Sequence, residues 1–118
     1  MTLQHVSLET RPGDVDAEVA FWSLLGFARV DPPVALRERA AWVQAGPMQI
    51  HLLFADEPVV MPEGHVAVVC PAFDETMDAL RGAGFVPERR AEHWGAARAF
   101  VRSAAGHLVE VMAAPPTR

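Results

Sequence analysis

The chain repeats itself, and that repeat limits the folds open to it more than any composition figure does. Residues 3–8 (LQHVSL) read as a strand with a histidine in third position, and residues 63–69 (EGHVAVV) read the same way. Each is followed by an acidic start and a helical stretch, Asp14 to Leu25 in the first half and Asp74 to Gly82 in the second. Each stretch stops at a Gly-Phe pair, Gly26-Phe27 and Gly84-Phe85. Glycine there supplies the left-handed helix-ending conformation, and the Phe after it packs back on the helix. Each half then closes with two alternating runs around a glycine-containing turn, AAWVQ-AGP-MQIHLLF and ARAFVRS-AAG-HLVEVMA. The period is near 59: His5 and His65 lie 60 apart, Gly26 and Gly84 58, and His51 and Glu110 59. Each half therefore predicts β-α-β-β-β. Residues 28–40 hold only a weak edge strand and a loop, because Pro32-Pro33 bars a central strand. The modules span residues 3–57 and 63–113 of a single 118-residue domain, with 58–62 as linker and the tail APPTR outside the packing.

Composition narrows the setting. Apolar residues make up 51% and charged residues 21%, an ordinary globular balance. No run approaches the ~18 apolar residues of a membrane-spanning helix. The lone cysteine, Cys70, excludes an internal disulfide framework, and MTLQHVSLET has neither the basic nor the apolar region of a secretory signal. The expectation is a cytoplasmic protein, and the all-Arg, Ala-rich composition is of a kind associated with bacteria. The net charge is −5 with no basic cluster, so nucleic acid and anionic membrane are poor partners. Tyr and Lys are absent, which excludes mechanisms needing a phenol or an amine side chain.

Strand alternation singles out four positions. His5 shares a face with Leu3, Ser7 and Glu9; His51 with Gln49 and Leu53; His65 with Ala67 and Val69; Glu110 with Leu108 and Met112. The opposite face of each strand is the helix-packing one. Burying an unpaired carboxylate is expensive. Three imidazoles and one carboxylate at repeat-equivalent positions therefore suggest a shared partner, and a divalent transition metal is the economical one. His107 has the wrong parity, and His93 sits in a loop beside Trp94. Cys70 has helix-face parity and reads as an inert core thiol.

The paired unit, together with FWSLLGF (Phe21 to Phe27) and GHLVEV (Gly106 to Val111), resembles the vicinal oxygen chelate superfamily. That group includes glyoxalase I, extradiol dioxygenases, and fosfomycin- and bleomycin-resistance proteins. The resemblance covers about residues 3 to 113. Ser103-Ala104-Ala105 stands where the family usually has an Asp-Pro-Asp type turn. It implies an α+β fold of two tandem βαβββ modules whose sheets form a cup. It also implies metal ligands on the first and last strands of each module, here His5, His51, His65 and Glu110. The implied cofactor is a divalent Zn, Ni, Mn or Fe ion, a Lewis acid that accepts two vicinal oxygens of a small-molecule substrate. Glu110 would also move the proton. The implied assembly is a homodimer, often with His5 of one subunit meeting His65 and Glu110 of the other.

Departures from the family discriminate among activities. A glyoxalase I-like isomerase resembles the metal set most, but His51 replaces a second glutamate. A fosfomycin-type thiol transferase matches the trio His5, His65 and Glu110 and has a counterpart for Ser7. Its Lys and Tyr are missing, and Arg98 and Phe100 stand where a Ser and a Tyr would fall; Arg98 would clamp an anionic group instead. An extradiol dioxygenase fits two His and one Glu but uses Tyr and a longer chain. A non-enzymatic, bleomycin-resistance-type drug binder would use Trp42, Trp94 and the acidic surface, with Trp22 in the core. The expectation is a metal-dependent lyase, isomerase or transferase whose substrate meets Ser7, Trp42, Trp94, Arg98 and Phe100.

Overall fold

In the computed structural model, which describes residues 1–117, the sequence repeat becomes a structural one. The first half runs β1 (His5–Thr10), a 3-10 turn (Pro12–Asp14), α1 (Val15–Leu24), β2 (Ala28–Val30), β3 (Ala40–Ala45) and β4 (Met48–Phe54). The second runs β5 (Val66–Val69), α2 (Phe73–Gly82), β6 (Glu88–Arg90), β7 (Arg98–Arg102) and β8 (Leu108–Met112). Each half makes one four-stranded sheet, ordered β1-β4-β3-β2 and β5-β8-β7-β6. In each, the first strand lies parallel to the last and the remaining pairs are antiparallel. Two compact units result, Met1–Val60 and a second beginning at Met61. The α+β architecture of two βαβββ modules is therefore present.

Both helices end by the same device. The Gly26 N–H donates to the Ser23 carbonyl and the Phe27 N–H to that of Trp22. Gly84 and Phe85 repeat this on Arg81 and Leu80. These are the paired bonds of a Schellman cap, with the glycines at φ +90° and +93°. Phe27 then lies edge-to-face against the fully buried Trp22, at 5.4 Å between ring centroids.

The helix-side faces follow the expected alternation. In the first unit Val43, Ile50 and Leu52 are buried together with Val15, Phe21 and Trp22 of α1. The Trp22 indole N–H donates to the buried carboxylate of Glu18 at 3.0 Å, so neither polar group is stranded. In the second, Phe73, Met77 and Leu80 recur at helical spacing and are buried with Val101, Val109 and Val111. Cys70 is buried as well, and that burial pushes its thiol pKa up, opposed by a Thr76 contact. No helix among the described residues is long and apolar enough to cross a membrane.

The strand starts depart from the sequence reading. β1 begins at His5 and leaves Leu3 exposed, and β5 begins at Val66 and leaves His65 just ahead of the ladder. The reason is visible in the hydrogen bonds. The carbonyls of Met61 and Pro62 are taken by the Arg102 guanidinium and that of Glu63 by the His65 ring, so this segment joins side chains rather than β8.

Gly26→Ala and Gly84→Ala should each destabilise the protein by about 1 kcal/mol, the left-handed penalty, since an added Cβ meets open space at both sites. Gly13→Ala, at ordinary φ and also unobstructed, should be neutral or slightly stabilising. Urea unfolding of the three variants tests the contrast.

Candidate functional site

On the face away from α1, cross-strand register places His51 beside Ser7 on one flank and Trp42 on the other. His5 lies diagonally, opposite Gln49. The three rings form a stack: Trp42 on His51 at 4.0 Å and 2°, and His51 on His5 at 3.9 Å and 14°. His51 is only 8% exposed, and its Nε2 faces the Gln49 side-chain oxygen at 2.8 Å. Gln49 in turn donates to Gln44 at 2.7 Å. Because an amide oxygen only accepts, that Nε2 carries the proton. His5 Nδ1 likewise donates to Gln4 Oε1. Burial, and then the charge of His5, hold the His51 pKa below its ordinary value. Trp42 and His51 also border an open recess of about 340 Å³ with Leu36, Arg39 and Leu53.

The equivalent row of the second unit has the same layout and a different chemistry. Glu110 pairs in register with Ala67 and Phe100 and is 7% exposed. Its Oε2 accepts from Arg98 Nε at 2.8 Å, and its Oε1 faces His65 Nε2 at 3.2 Å. Arg98 also donates to the Ala91 carbonyl at 2.9 Å, and its guanidinium lies 5.3 Å from the Phe100 centroid and 5.7 Å from that of Trp94. The Arg98 side chain is 12% exposed, so this is a shielded charge pair. Phe100 stands edge-on to His65 at 4.9 Å. Trp94 uses its indole N–H on the Ala114 carbonyl.

These contacts define what each donor can hold. His65 Nδ1–H is committed to the Glu63 carbonyl at 2.8 Å, so neutral His65 turns a bare Nε2 toward Glu110. A bare nitrogen and a carboxylate oxygen facing one another suit one shared cation, and a hydrogen-bonded carboxylate is an ordinary metal ligand. His65 and Glu110 therefore fit as two donors to a divalent ion. His5 and His51 do not fit as a joint pair in this arrangement. A ligated ion lies in the ring plane at roughly 2.0–2.1 Å from nitrogen, and two nearly parallel stacked planes share no such point. Among the described residues no three His, Cys, Asp or Glu side chains gather into one group.

Ser7 is exposed beside His51, and Phe100 lines open space near His65. Arg98, the expected anion clamp, is committed to Glu110 and Ala91, while Trp94 closes over it. Sequence reasoning missed Gln44 and Gln49, which orient His51, and the recess-lining Arg90 and Arg102. Strand parity was the available signal for Gln44, Gln49 and Arg102, each on one face of its strand with a residue already singled out; Arg90 shares a face with Arg98 only through cross-strand register.

No protein-family profile matches the chain, and no curated protein matches it. Solved structures do. A glyoxalase family protein from Bacillus anthracis superposes with TM-score 0.84 at 20% identity, covering 95% of this chain and 93% of the other. A glyoxalase/dioxygenase from Nostoc punctiforme gives 0.77 at 17% identity, covering 97% and 91%. A lactoylglutathione lyase from Agrobacterium tumefaciens gives 0.71 at 19% identity, covering 94% and 92%. The chain shares the fold of these glyoxalase and glyoxalase/dioxygenase structures.

Two predictions follow from the geometry. Arg98→Ala leaves the shielded carboxylate of Glu110 without its guanidinium partner and should destabilise by on the order of 3 kcal/mol. Adding Glu110→Ala should restore part of that loss, giving a double-mutant cycle far from additive in denaturant titrations. His51 supplies the second. Its folded pKa lies below the unfolded value of 6.5, so the unfolded chain binds the extra proton. Its contribution is complete above that value and falls away as the solution is acidified. Urea midpoints measured at about pH 7.5 and pH 5 should separate more for the native chain than for His51→Gln.

Proposed function

We propose that this chain is a divalent-metal enzyme of the vicinal oxygen chelate type acting on a small oxygenated molecule. The observation that carries this reading is the His65–Glu110 pair, with one ring nitrogen anchored on a carbonyl and the other facing a carboxylate oxygen at 3.2 Å. His5 completes the donor set in this reading, and a homodimer in which each copy lends its first-module histidine to the other satisfies it. When bound, the ion would act as a Lewis acid that stabilises negative charge on substrate oxygens. The chain's own part is to hold and orient. The Glu63 carbonyl fixes the His65 tautomer, Arg98 fixes the carboxylate plane, and Phe100 covers the apolar side of the pair. Glu110 Oε1 is the proton acceptor nearest this point, as a lyase, isomerase or thiol transferase would require. A drug-binding role is the second reading, favoured by the Trp42–His51–His5 stack at the edge of the 340 Å³ recess.

Elemental mass spectrometry on untagged protein purified without chelator tests the proposal. One divalent ion per chain is expected, lost in His65→Ala and Glu110→Gln and weakened in His5→Ala. Nickel, zinc or manganese would direct assays toward isomerase and transferase chemistry, and iron toward a dioxygenase. Failure to take up Mn, Fe, Ni or Zn on reloading would overturn the metal reading and leave the drug-binding one.

A further inference from the structure

The second module carries a recess of about 480 Å³ whose lining includes Glu63, His65, Arg90, Phe100, Arg102 and Leu108. A smaller one, about 250 Å³, adjoins the same Arg90, Phe100, Arg102 and Leu108. Phe100 thus shares both recesses with two guanidinium groups, those of Arg90 and Arg102. In a chain of net charge −5, two arginines lining one recess ask for a reason.

Neither arginine is neutralised in the way Arg98 is. Arg102 donates to three backbone carbonyls, Met61, Pro62 and Gly106, at 3.2–3.4 Å. Carbonyls fix a guanidinium in place without cancelling its charge, and among the described residues no carboxylate pairs with it. Five N–H groups exceed those three bonds, so donors remain. Arg90 lies 5.6 Å from the Phe100 centroid. Its one carboxylate partner, Glu88 at 3.3 Å, is 62% exposed and Arg90 itself 49%, so water screens that pair heavily. Glu63 borders the larger recess and limits how much negative charge it accepts, which favours a singly charged group over a phosphate dianion.

We infer that this recess binds a small carboxylate with an aromatic or apolar body, the anion held by Arg90 and Arg102 and the body laid against Phe100 and Leu108. The inference deepens the metal-enzyme reading, on which it rests for the role of His65: a substrate anchored here has its far end beside the His65–Glu110 pair. Arg90 and Arg102 then determine specificity, a role separate from that of Arg98.

Benzoate and its neutral isostere benzamide are the probes, titrated by NMR into the native protein both metal-loaded and chelator-treated. Benzoate is expected to bind at least tenfold more tightly than benzamide in both forms, with shifts at Phe100 and Leu108. Arg90→Gln should erase that preference while leaving the melting temperature unchanged. Arg102→Lys, which keeps the charge, should retain part of it. Equal affinity for the two probes, shifts that avoid Phe100, or an undiminished preference in Arg90→Gln would each overturn the inference. The chelator-treated arm separates the two readings. Arginine-dependent benzoate binding by a protein that takes up no metal keeps the anion site and removes the metal, whereas metal uptake without charge preference does the reverse.

Discussion

Register between the central strands governs every other feature of this protein. β4 and β8 each lie between a parallel and an antiparallel neighbour, so one pairing choice decides which residues face the helix. As paired, Ile50, Leu52, Val109 and Val111 are buried while His51 and Glu110 stand on the opposite face. A slip of one residue would invert all of them at once. Glu110 would then lie among Phe73, Met77 and Leu80, where an unpaired carboxylate is several times more expensive than any single hydrophobic contact is favourable. Burial of the apolar face thus fixes the register, and the register builds the polar row.

The two modules share that scaffold and diverge in how the row is satisfied. In the first, an indole, two imidazoles and two amides do it, joined by stacking and by hydrogen bonds. In the second, a shielded carboxylate demands a cation, and Arg98 supplies one from the neighbouring strand. Any metal arriving there meets a carboxylate already half-neutralised on one oxygen. Affinity would then depend on the other oxygen and on His65, whose tautomer is set by a backbone carbonyl. The arginine and such an ion would be compatible, because they would use different oxygens of the same group.

What could be read from the sequence was what repeats or alternates locally. Gly26-Phe27 and Gly84-Phe85 announced the helix ends because a Schellman cap is built within six residues. Parity announced the faces because a strand's period is two. Side-chain pairings across distant segments were not legible. Nothing near Arg98 in the sequence points to Glu110, and nothing near Arg102 points to Met61, 41 residues away. Nothing in the helical stretch from Asp14 to Leu25 singles out Glu18, yet tertiary packing buries it fully and gives it to Trp22. The stacking of His5 on His51 also escaped the sequence, since parity gives a side chain's face and not its rotamer.

The parallel closure of each sheet has a consequence for how the chain is made. His5 pairs with Gln49, so β1 leaves the ribosome well before the strand it pairs with, the last of its module. The β3–β4 hairpin, closed by the turn at Gly46, is local and can form first; β1 joins it afterwards across a long loop. A nascent chain halted before Met48 would hold β1 with an unpaired hydrogen-bonding edge, a template for other chains. One released after Val60 would have every strand of its first sheet paired. A module repeated with its first and last strands adjacent thus divides synthesis into two closures, one for each sheet.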